Sequence, residues 1–269
     1  MSEDSTNRSS VDQSTAEKPA VGLFVTCLVD LQRPSVGFAA VKLLELAGCS
    51  VEVPSAQTCC GQPAFNNGDF DTTAALARQT IAALESYDYV VVPSGSCAGT
   101  LKCHYPELLA DDPDWAARAR AFSAKVHELL SFLVDVRGFD VSSLGTQFDG
   151  TATYHDSCSG LRELGIKQQP RTLLAGVEGL SVAEMEETEV CCGFGGTFCV
   201  KYPEISGRLG SDKLKNAQQT GANILLGGDL GCLLNLSGRA LREGIPMRMF
   251  HTAEVLAGMA ERGIGEEAK

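Results

Sequence analysis

The chain has 269 residues, of which 44% are hydrophobic and 21% are charged, so it can bury one large core or two small ones. This composition excludes a mainly disordered chain. The 22 Lys and Arg residues against 34 Asp and Glu residues give a formal net charge of −12, which repels phosphate backbones and anionic lipid. Nucleic acid and membrane surfaces are therefore poor candidate partners.

The N-terminal segment and the cysteine content indicate a compartment. Residues 1–20 are rich in Ser, Thr and charge, which predicts a disordered tail. We find no leader-peptide pattern, and no apolar run reaches the ~18 residues of a membrane span. The eleven cysteines are odd in number and include two adjacent pairs, Cys59-Cys60 and Cys191-Cys192, which suit no simple disulfide framework. We expect a cytoplasmic protein whose cysteines are free thiols or metal thiolates.

From residue 21 onward, short β-branched runs alternate with longer helical stretches. Near-continuous apolar strands in such βαβ units are buried on both faces of a parallel sheet. A polar segment at 140–150 separates two predicted domains, residues 21–140 and 150–260. The pattern predicts strands at 21–26, 51–54 and 89–92, helices at 35–47 and 72–84, and two further helical stretches between 113 and 138.

The second half repeats the first, and the cysteines give the register of the repeat. Cys27 is matched by Cys158, 131 residues later, and the other matched cysteines lie 132 to 135 residues apart. The surrounding sequence agrees, since YDYVVVPSGSC matches ANILLGGDLGC, and KVHELLSFL matches MFHTAEVL. The second match places His127 opposite His251. We therefore predict an internally duplicated α/β fold with a parallel sheet in each half.

Each half carries four cysteines that the repeat brings into register, and four thiolates is a number typical of metal sites. Several of them follow a predicted strand and precede a helix, so the sulfur atoms should gather at the carboxyl ends of parallel strands. Helix N-termini at that edge stabilise thiolates and negatively charged clusters. The predicted ligands are Cys27, Cys59, Cys60 and Cys97 in the first half and Cys158, Cys191, Cys192 and Cys232 in the second.

The spacing of these cysteines favours iron–sulfur clusters over zinc. Structural zinc sites use short C-x-x-C-type knuckles, and none of the eight cysteines forms one. The side chains of adjacent cysteines diverge, so both reach one centre more easily when it is an extended multi-iron cluster. Gly61 and Gly193 directly follow the two pairs and leave room for a bulky group against the main chain.

The motifs SGSCAG at 94–99, HDSC at 155–158, CCGFGGTF at 191–198 and DLGC at 229–232 resemble those of the cysteine-rich CCG-domain iron–sulfur oxidoreductases. Within that group the chain is most similar to the lactate-utilisation A subunits, over residues 21–259. The resemblance implies an iron–sulfur electron-transfer subunit of a complex that oxidises L-lactate to pyruvate. It also implies two partners, a ferredoxin-type iron–sulfur subunit and a third small subunit.

Related CCG subunits serve other pathways, so several alternatives stay open. Glycolate and glycerol-3-phosphate oxidation subunits carry fused C-x2-C-x2-C-x3-C runs, which this chain lacks. The heterodisulfide reductase B pattern ends each repeat in C-x-x-C, where this chain has Thr100 and Asn235. We therefore expect four ligands and one four-iron cluster per half, although a single cluster shared between the halves also fits. A non-catalytic zinc or thiol redox scaffold is the alternative from another class.

Three further cysteines and one histidine are not matched by the repeat. Cys49 lies in an apolar context and is predicted to be a small buried hydrophobe. We favour a non-ligand role for Cys103 and for Cys199, although Cys199 follows the second pair closely and is a spare ligand candidate. His155, three residues before Cys158, either contacts a sulfur, relays a proton or is structural.

The other polar residues near the cysteines have ordinary structural explanations. His127 and His251 fall in predicted helices, where packing or capping is expected, and His104 is expected at the surface. Asp156 and Asp229 lie at strand-to-helix turns and are predicted to be N-caps. The pattern assigns no residue a catalytic role.

Overall fold

The structure, a computed structural model, describes residues 18–266. Residues 1–17, which make up most of the predicted disordered tail, lie outside the described residues, as do residues 267–269. No helix in the described range combines the length and the apolar character needed to cross a membrane.

Two four-stranded parallel sheets form the frame of the molecule. The first contains β1 (Ala20–Leu23), β2 (Ser50–Glu52), β3 (Tyr89–Val92) and β4 (Val126–Glu128), and the second contains β5 (Gln147–His155), β6 (Glu178–Val182), β7 (Ile224–Gly227) and β8 (Arg248–His251). The strand order is β2-β1-β3-β4 in the first sheet and β6-β5-β7-β8 in the second, and every pairing is parallel. The identical orders confirm the internally duplicated α/β fold.

Helices connect the strands in both halves. The long helices α2 and α4 lie where the sequence predicts them, whereas the short helices that begin beside cysteines were not predicted as separate elements. The bounds are α1 (Cys27–Gln32), α2 (Pro34–Leu46), α3 (Gln62–Phe65), α4 (Phe70–Leu84), α5 (Gly95–Gly99), α6 (Tyr105–Leu108), α7 (Ala116–Lys125), α8 (Leu129–Ser131), α9 (Cys158–Arg162), α10 (Gln168–Leu174), α11 (Phe198–Lys201), α12 (Pro203–Gln219), α13 (Leu230–Glu243) and α14 (Thr252–Leu256), with π-helical turns at Thr100–His104 and Phe132–Val136 and a 3-10 turn at Val141–Leu144.

The ends of the long helices follow from local sequence. Pro34 occupies the first turn of α2, where a missing N–H costs nothing and the fixed backbone angle favours the helix. Asp69 caps α4 by accepting a hydrogen bond from the backbone N–H of Thr72 at 3.1 Å. Each helix buries one face and exposes the other: α2 packs into a core that both halves share, and α4 packs into a core of the first half.

The two halves share a hydrophobic core. Leu44 and Val91 from the first half belong to the same buried cluster as Phe250 and Leu256 from the second. Each such side chain contributes about 1.5–3 kcal/mol when it is fully buried. A buried ion pair adds a polar connection, since Arg33 Nε donates to the carboxylate of Glu254 at 2.8 Å. The sheets are therefore packed into one body.

Two expectations about the strands were wrong. His127 and His251 lie in β4 and β8, not in helices, because three-residue and four-residue edge strands are too short to give a clear pattern. Their predicted match is also displaced by one residue. Val92 pairs with Glu128 and Gly227 pairs with His251, so Glu128 is the counterpart of His251.

The predicted separator between the halves was also partly wrong. The segment at 140–150 contains a 3-10 turn, but β5 begins at Gln147 inside it. The first five residues of β5 are exposed or half-buried and only the last four are buried. The exposed start of this strand carries polar residues, so the sequence pattern there predicts a loop.

Candidate metal centres

The cysteines of each half gather at the carboxyl ends of the central strands. Cys27 is the first residue of α1 after β1, and Cys97 lies in α5 after β3. Cys158 and Cys232 occupy the matching places in α9 and α13, after β5 and β7. The chain reverses its strand order between β1 and β3 and between β5 and β7, and such switch points are where open α/β sheets bind ligands.

The four matched thiols of the first half lie in two contacting pairs. The sulfur atoms of Cys27 and Cys59 are 3.9 Å apart, and those of Cys60 and Cys97 are 3.3 Å apart. The two adjacent cysteines thus face different partners, as the divergence of neighbouring side chains predicts. Hydrogen bonds from Cys27 and Cys60 lower the pKa of Cys59 to about 2, whereas the hydrogen bond to Cys59 raises the pKa of Cys27. The group is suited to hold thiolate charge on Cys59.

The second half repeats this arrangement. The neighbouring thiol of Cys191 is the main cause that raises the pKa of Cys158, and the thiols of Cys191 and Cys232 on either side raise the pKa of Cys192. The hydrogen bond from Cys158 is the main cause that lowers the pKa of Cys191 to about 2, which matches Cys59. The structure therefore brings together all eight cysteines that the sequence singled out, in two sets of four.

Glycines beside the cysteine pairs provide backbone donors to sulfur. The N–H of Gly61 donates to the sulfur of Cys59 at 3.4 Å, and the N–H of Gly193 donates to the sulfur of Cys191 at 3.3 Å. Both glycines have positive φ angles, +85° and +89°, which other residues adopt at a cost. Backbone N–H groups aimed at sulfur stabilise a thiolate or a metal-bound thiolate.

Asp229 links the two sites. One of its carboxylate oxygens accepts hydrogen bonds from the backbone N–H groups of Gly231 and Cys232, which caps α13 as predicted. The other accepts from the hydroxyl of Ser94 at 2.9 Å and from the N–H of Ser96 at 3.0 Å. Ser94 is itself the N-cap of the helix that carries Cys97. The helix N-termini beside Cys97 and Cys232 therefore share one buried carboxylate.

Asp156 does not cap a helix, contrary to the prediction. Its carboxylate forms a bidentate pair with Arg171, with both nitrogen–oxygen distances below 3 Å. Ser157 occupies the N-cap position of α9 instead. No local pattern indicates this pairing, because Asp156 directly follows β5 whereas Arg171 lies in α10.

A cavity of about 240 Å³ opens beside the first set of thiols. Its walls combine Cys27, Cys59, Cys60 and Cys97 with second-half residues that include Phe194, Gly196 and Asp229. Among the described residues that line it, none is Lys, Arg or His. The cavity offers soft sulfur donors and apolar walls at the junction of the halves, and it offers no cation for a carboxylate.

The second set of thiols has a buried imidazole beside it. One nitrogen of His155 and the sulfur atoms of Cys192 and Cys232 all lie within 4.8 Å of one another. Burial, aided by nearby Lys213, lowers the pKa of His155 to about 4, so the ring is neutral at pH 7. The sequence predicted that His155 lies near this site and left open whether its role is structural or functional.

Asn235 and Thr100 stand where the heterodisulfide reductase B pattern has a further cysteine, and both form hydrogen bonds to the backbone. Asn235 donates from its side-chain amide to the carbonyl of Cys192 at 3.0 Å. Thr100 donates from its hydroxyl to the carbonyl of Ser96 at 3.0 Å. Neither residue provides a sulfur donor, so four thiols gather at each site.

The remaining cysteines and His104 lie apart from the two sets. Cys49 is buried in the shared core, as predicted. The thiol of Cys199 points to the carbonyl of Gly196 at 3.6 Å, and Cys103 is half-buried. His104 was expected at the surface, but it is half-buried and stacks on Phe65 with ring centroids 4.6 Å apart. All eleven cysteines are free of disulfides.

The donor sets fit iron–sulfur clusters. Each half supplies four thiols from three separate segments, with backbone N–H groups directed at one sulfur of each pair. Soft thiolates in groups of four are the usual ligands of iron–sulfur clusters. A first site with about 240 Å³ of open volume also has room beyond that of a single tetrahedral ion.

Comparisons with known proteins agree with this arrangement. The CCG cysteine-rich domain matches residues 21–102 and again residues 152–237, one match in each half. A crystal structure of a hypothetical protein from Helicobacter pylori superposes with a TM-score of 0.63 at 11% sequence identity. It covers 92% of this chain, and this chain spans half the length of that one. That likeness supports the fold alone.

Closer relatives are known by sequence. Lactate utilization protein A of Bacillus cytotoxicus is 48% identical over 236 residues, which cover 88% of this chain and 98% of the relative. Lactate utilization protein A of Oceanobacillus iheyensis is 46% identical over 244 residues, which cover 91% of this chain and 99% of the relative. With two CCG domains that hold clustered thiols suited to iron–sulfur binding, the chain belongs to the lactate utilization protein A family.

Proposed function

We propose that the chain is an iron–sulfur electron-transfer subunit in the oxidation of L-lactate to pyruvate. The observation that carries this proposal is the convergence of four thiols from distant segments, twice, at equivalent strand ends. Its relatives from Bacillus cytotoxicus and Oceanobacillus iheyensis bear a lactate utilization name over nearly their whole length. The thiols support the assignment of the cofactor class, and the relatives support the assignment of the pathway.

We further propose one four-iron cluster in each half. Cys27, Cys59, Cys60 and Cys97 would hold the first, and Cys158, Cys191, Cys192 and Cys232 the second. A bound cluster of this kind supplies one-electron transfer. Two centres in one chain match the two electrons that leave lactate when it becomes pyruvate.

The chain's own residues set the conditions at these centres. The N–H groups of Gly61 and Gly193 donate to thiolate sulfur, which stabilises negative charge there. Asp229 fixes the helix starts that present Cys97 and Cys232. Apolar walls such as Phe194 border the cavity beside the first centre. These contacts hold the ligands in place and influence the reduction potential.

We propose that lactate binds on a partner subunit. A lactate carboxylate needs a cationic partner, and the described lining of the first cavity contains no Lys, Arg or His. The proposed partners are a ferredoxin-type iron–sulfur subunit and a third small subunit. Unpaired thiols suit a reducing compartment, so we propose the cytoplasm as the place where the complex works.

Metal analysis tests the cofactor part of the proposal. The full chain is purified under argon from cells supplied with iron, and its iron, sulfide and zinc are measured per chain. We expect brown protein with iron and acid-labile sulfide in equal amounts. Zinc without sulfide would contradict the proposal and favour a thiol or zinc scaffold.

Growth of a deletion strain tests the pathway. The native host without this gene is grown on L-lactate, on glycolate and on glycerol as sole carbon sources, with and without a plasmid copy. We expect the deletion strain to grow on glycolate and on glycerol but not on L-lactate. The plasmid copy should restore its growth on L-lactate. Failure on glycolate with normal growth on lactate would show that the substrate assignment is wrong.

A further inference from the structure

His155 is a buried polar side chain without a partner in the described part of the chain. It is the last residue of β5 and only 1% exposed. Both ring nitrogens, Nδ1 and Nε2, are buried and lack a hydrogen-bond partner among the residues that the structure describes. Buried polar groups almost always have partners, so an imidazole with two free nitrogens points to a group that binds there.

The free imidazole faces the second set of thiols. One ring nitrogen lies within 4.8 Å of the sulfur atoms of both Cys192 and Cys232. Two ligands of one tetrahedral metal ion are roughly 3.5 to 4 Å apart, given bond lengths near 2.0–2.3 Å. The ring nitrogen therefore lies close enough to the two sulfur atoms to bind an iron atom in place of one of them.

The first half has a hydrocarbon at the matching position. Phe24 lies three residues before Cys27, as His155 lies three residues before Cys158. Phe24 is fully buried in the same apolar cluster as Cys60 and Cys97. The fold thus accepts a plain aromatic ring at the equivalent place of the first half.

We propose that His155 is an iron ligand of the second centre in place of the thiolate of Cys192 or Cys232, which revises the ligand set proposed above and gives the two halves clusters with different donor sets. This inference rests on the proposed iron–sulfur function. A neutral imidazole adds no negative charge to a cluster, whereas each thiolate adds one. The second centre is therefore the more easily reduced of the two, and electrons that enter at the first centre move downhill toward the second.

Isotope labelling with pulsed electron paramagnetic resonance tests the ligand directly. The full chain is produced with isotopically labelled histidine and reduced under argon, both as the native protein and as two variants that each retain one set of thiols. We expect a strong nitrogen coupling that changes with the label in Cys59→Ala/Cys60→Ala, which keeps the second centre. The coupling should be absent in Cys191→Ala/Cys192→Ala, which keeps the first.

Two histidine variants provide the matched comparison. His155→Phe introduces the residue that the first half already has, and the coupling should disappear with a fall in the midpoint potential of the second centre. His127→Phe removes another part-buried imidazole, which contacts Tyr89 and Phe132, and should leave both unchanged. If either cysteine variant fails to fold, the labelled native protein still decides whether any histidine nitrogen is bound.

The outcomes separate this inference from the function on which it rests. Reduced clusters in the native protein without a label-dependent coupling would overturn the ligand while leaving the proposed function intact. A coupling that persists in His155→Phe would also overturn it. A native chain that contains no cluster would overturn both.

Discussion

The two halves of this protein have the same scaffold but different surroundings for their thiols. Strand order, helix starts and cysteine contacts are repeated. The first set of thiols lies among Phe24 and other apolar side chains beside an open cavity, whereas the second has the imidazole of His155. Duplication has therefore kept the ligand frame and changed the groups that tune it.

A second pair of matched positions shows the same divergence. Helices α4 and α12 bury residues at identical spacings, which matches Thr80 with Lys213. Thr80 is a neutral neighbour of Tyr105, while the ammonium of Lys213 donates to the carbonyls of Glu187 and Thr188. The pKa of Lys213 is lowered by burial and raised by the nearby thiol of Cys192. A cation near the second set favours added negative charge there, as reduction brings.

The largest expected difference between the halves concerns the glycines of the two pairs. A Cβ at position 193 would lie 2.5 Å from the backbone oxygen of Ser206, which cannot move without displacing α12. A Cβ at position 61 would lie 3.1 Å from a side-chain methyl of Thr73, a less severe approach than the one at position 193. We expect Gly193→Ala to lose about half of the iron per chain, since one of two sites fails, and Gly61→Ala to lose less. Equal iron in both variants and the native chain would contradict this account of the loops.

The junction between the halves should depend on one buried ion pair. Glu254 is fully buried and accepts from Arg33 Nε at 2.8 Å and from the hydroxyl of Ser35 at 2.6 Å. Removing one partner of a buried pair leaves an uncompensated charge, which costs about 3–5 kcal/mol. We expect Arg33→Ala to lower the free energy of unfolding by that amount in urea titrations of the holoprotein.

An exposed arginine provides the control for the junction. Arg208 pairs with Asp212 on the surface of α12, where solvent screens the interaction. Arg208→Ala should leave the free energy of unfolding unchanged. A similar loss in both variants would mean that the Arg33 pair does not hold the halves together.

A smaller difference between the edge strands should depend on pH. Glu128 in β4 and its counterpart His251 in β8 both cap the helix that follows. Burial raises the pKa of Glu128 to about 7, above the 4.5 of an exposed glutamate. The folded chain thus binds this proton more tightly than the unfolded chain, so the native protein loses stability as the pH rises from 4.5 to about 7.

Glu128→Gln removes this titration while it keeps an oxygen that can accept from Ser131 N–H. We expect the variant to be more stable than the native protein by up to about 3 kcal/mol above pH 7, with no difference below pH 4.5. Urea unfolding at several pH values measures the difference. A constant difference across this range would show that Glu128 titrates normally.

The sequence predicted the elements that carry strong periodicity or a repeat. The near-continuous apolar run of β3 and the long amphipathic helix α4 were identified, and the matched cysteines gave the duplication. The edge strand β4 was missed because its three residues follow a ten-residue helix directly. Short elements of this kind are fixed by pairing with a neighbouring strand, which no local pattern records.

The candidate sites were predicted in part for the same reason. Spacing alone identified the four thiols of each half, but the bridge from Asp229 to Ser94 joins residues 135 positions apart. The match of Phe24 with His155 follows from their equal distance to Cys27 and Cys158, and this signal was available in the sequence. What the sequence lacked was the burial of both ring nitrogens, which only the packed structure reveals.

Iron counting in the two paired variants tests the central claim most directly. Cys59→Ala/Cys60→Ala and Cys191→Ala/Cys192→Ala are each purified under argon, and the iron per chain is compared with that of the native protein. Two independent centres predict that each variant keeps about half of the native iron, because each removes ligands from one set only. Loss of all iron from either variant, or of none from both, would contradict the account.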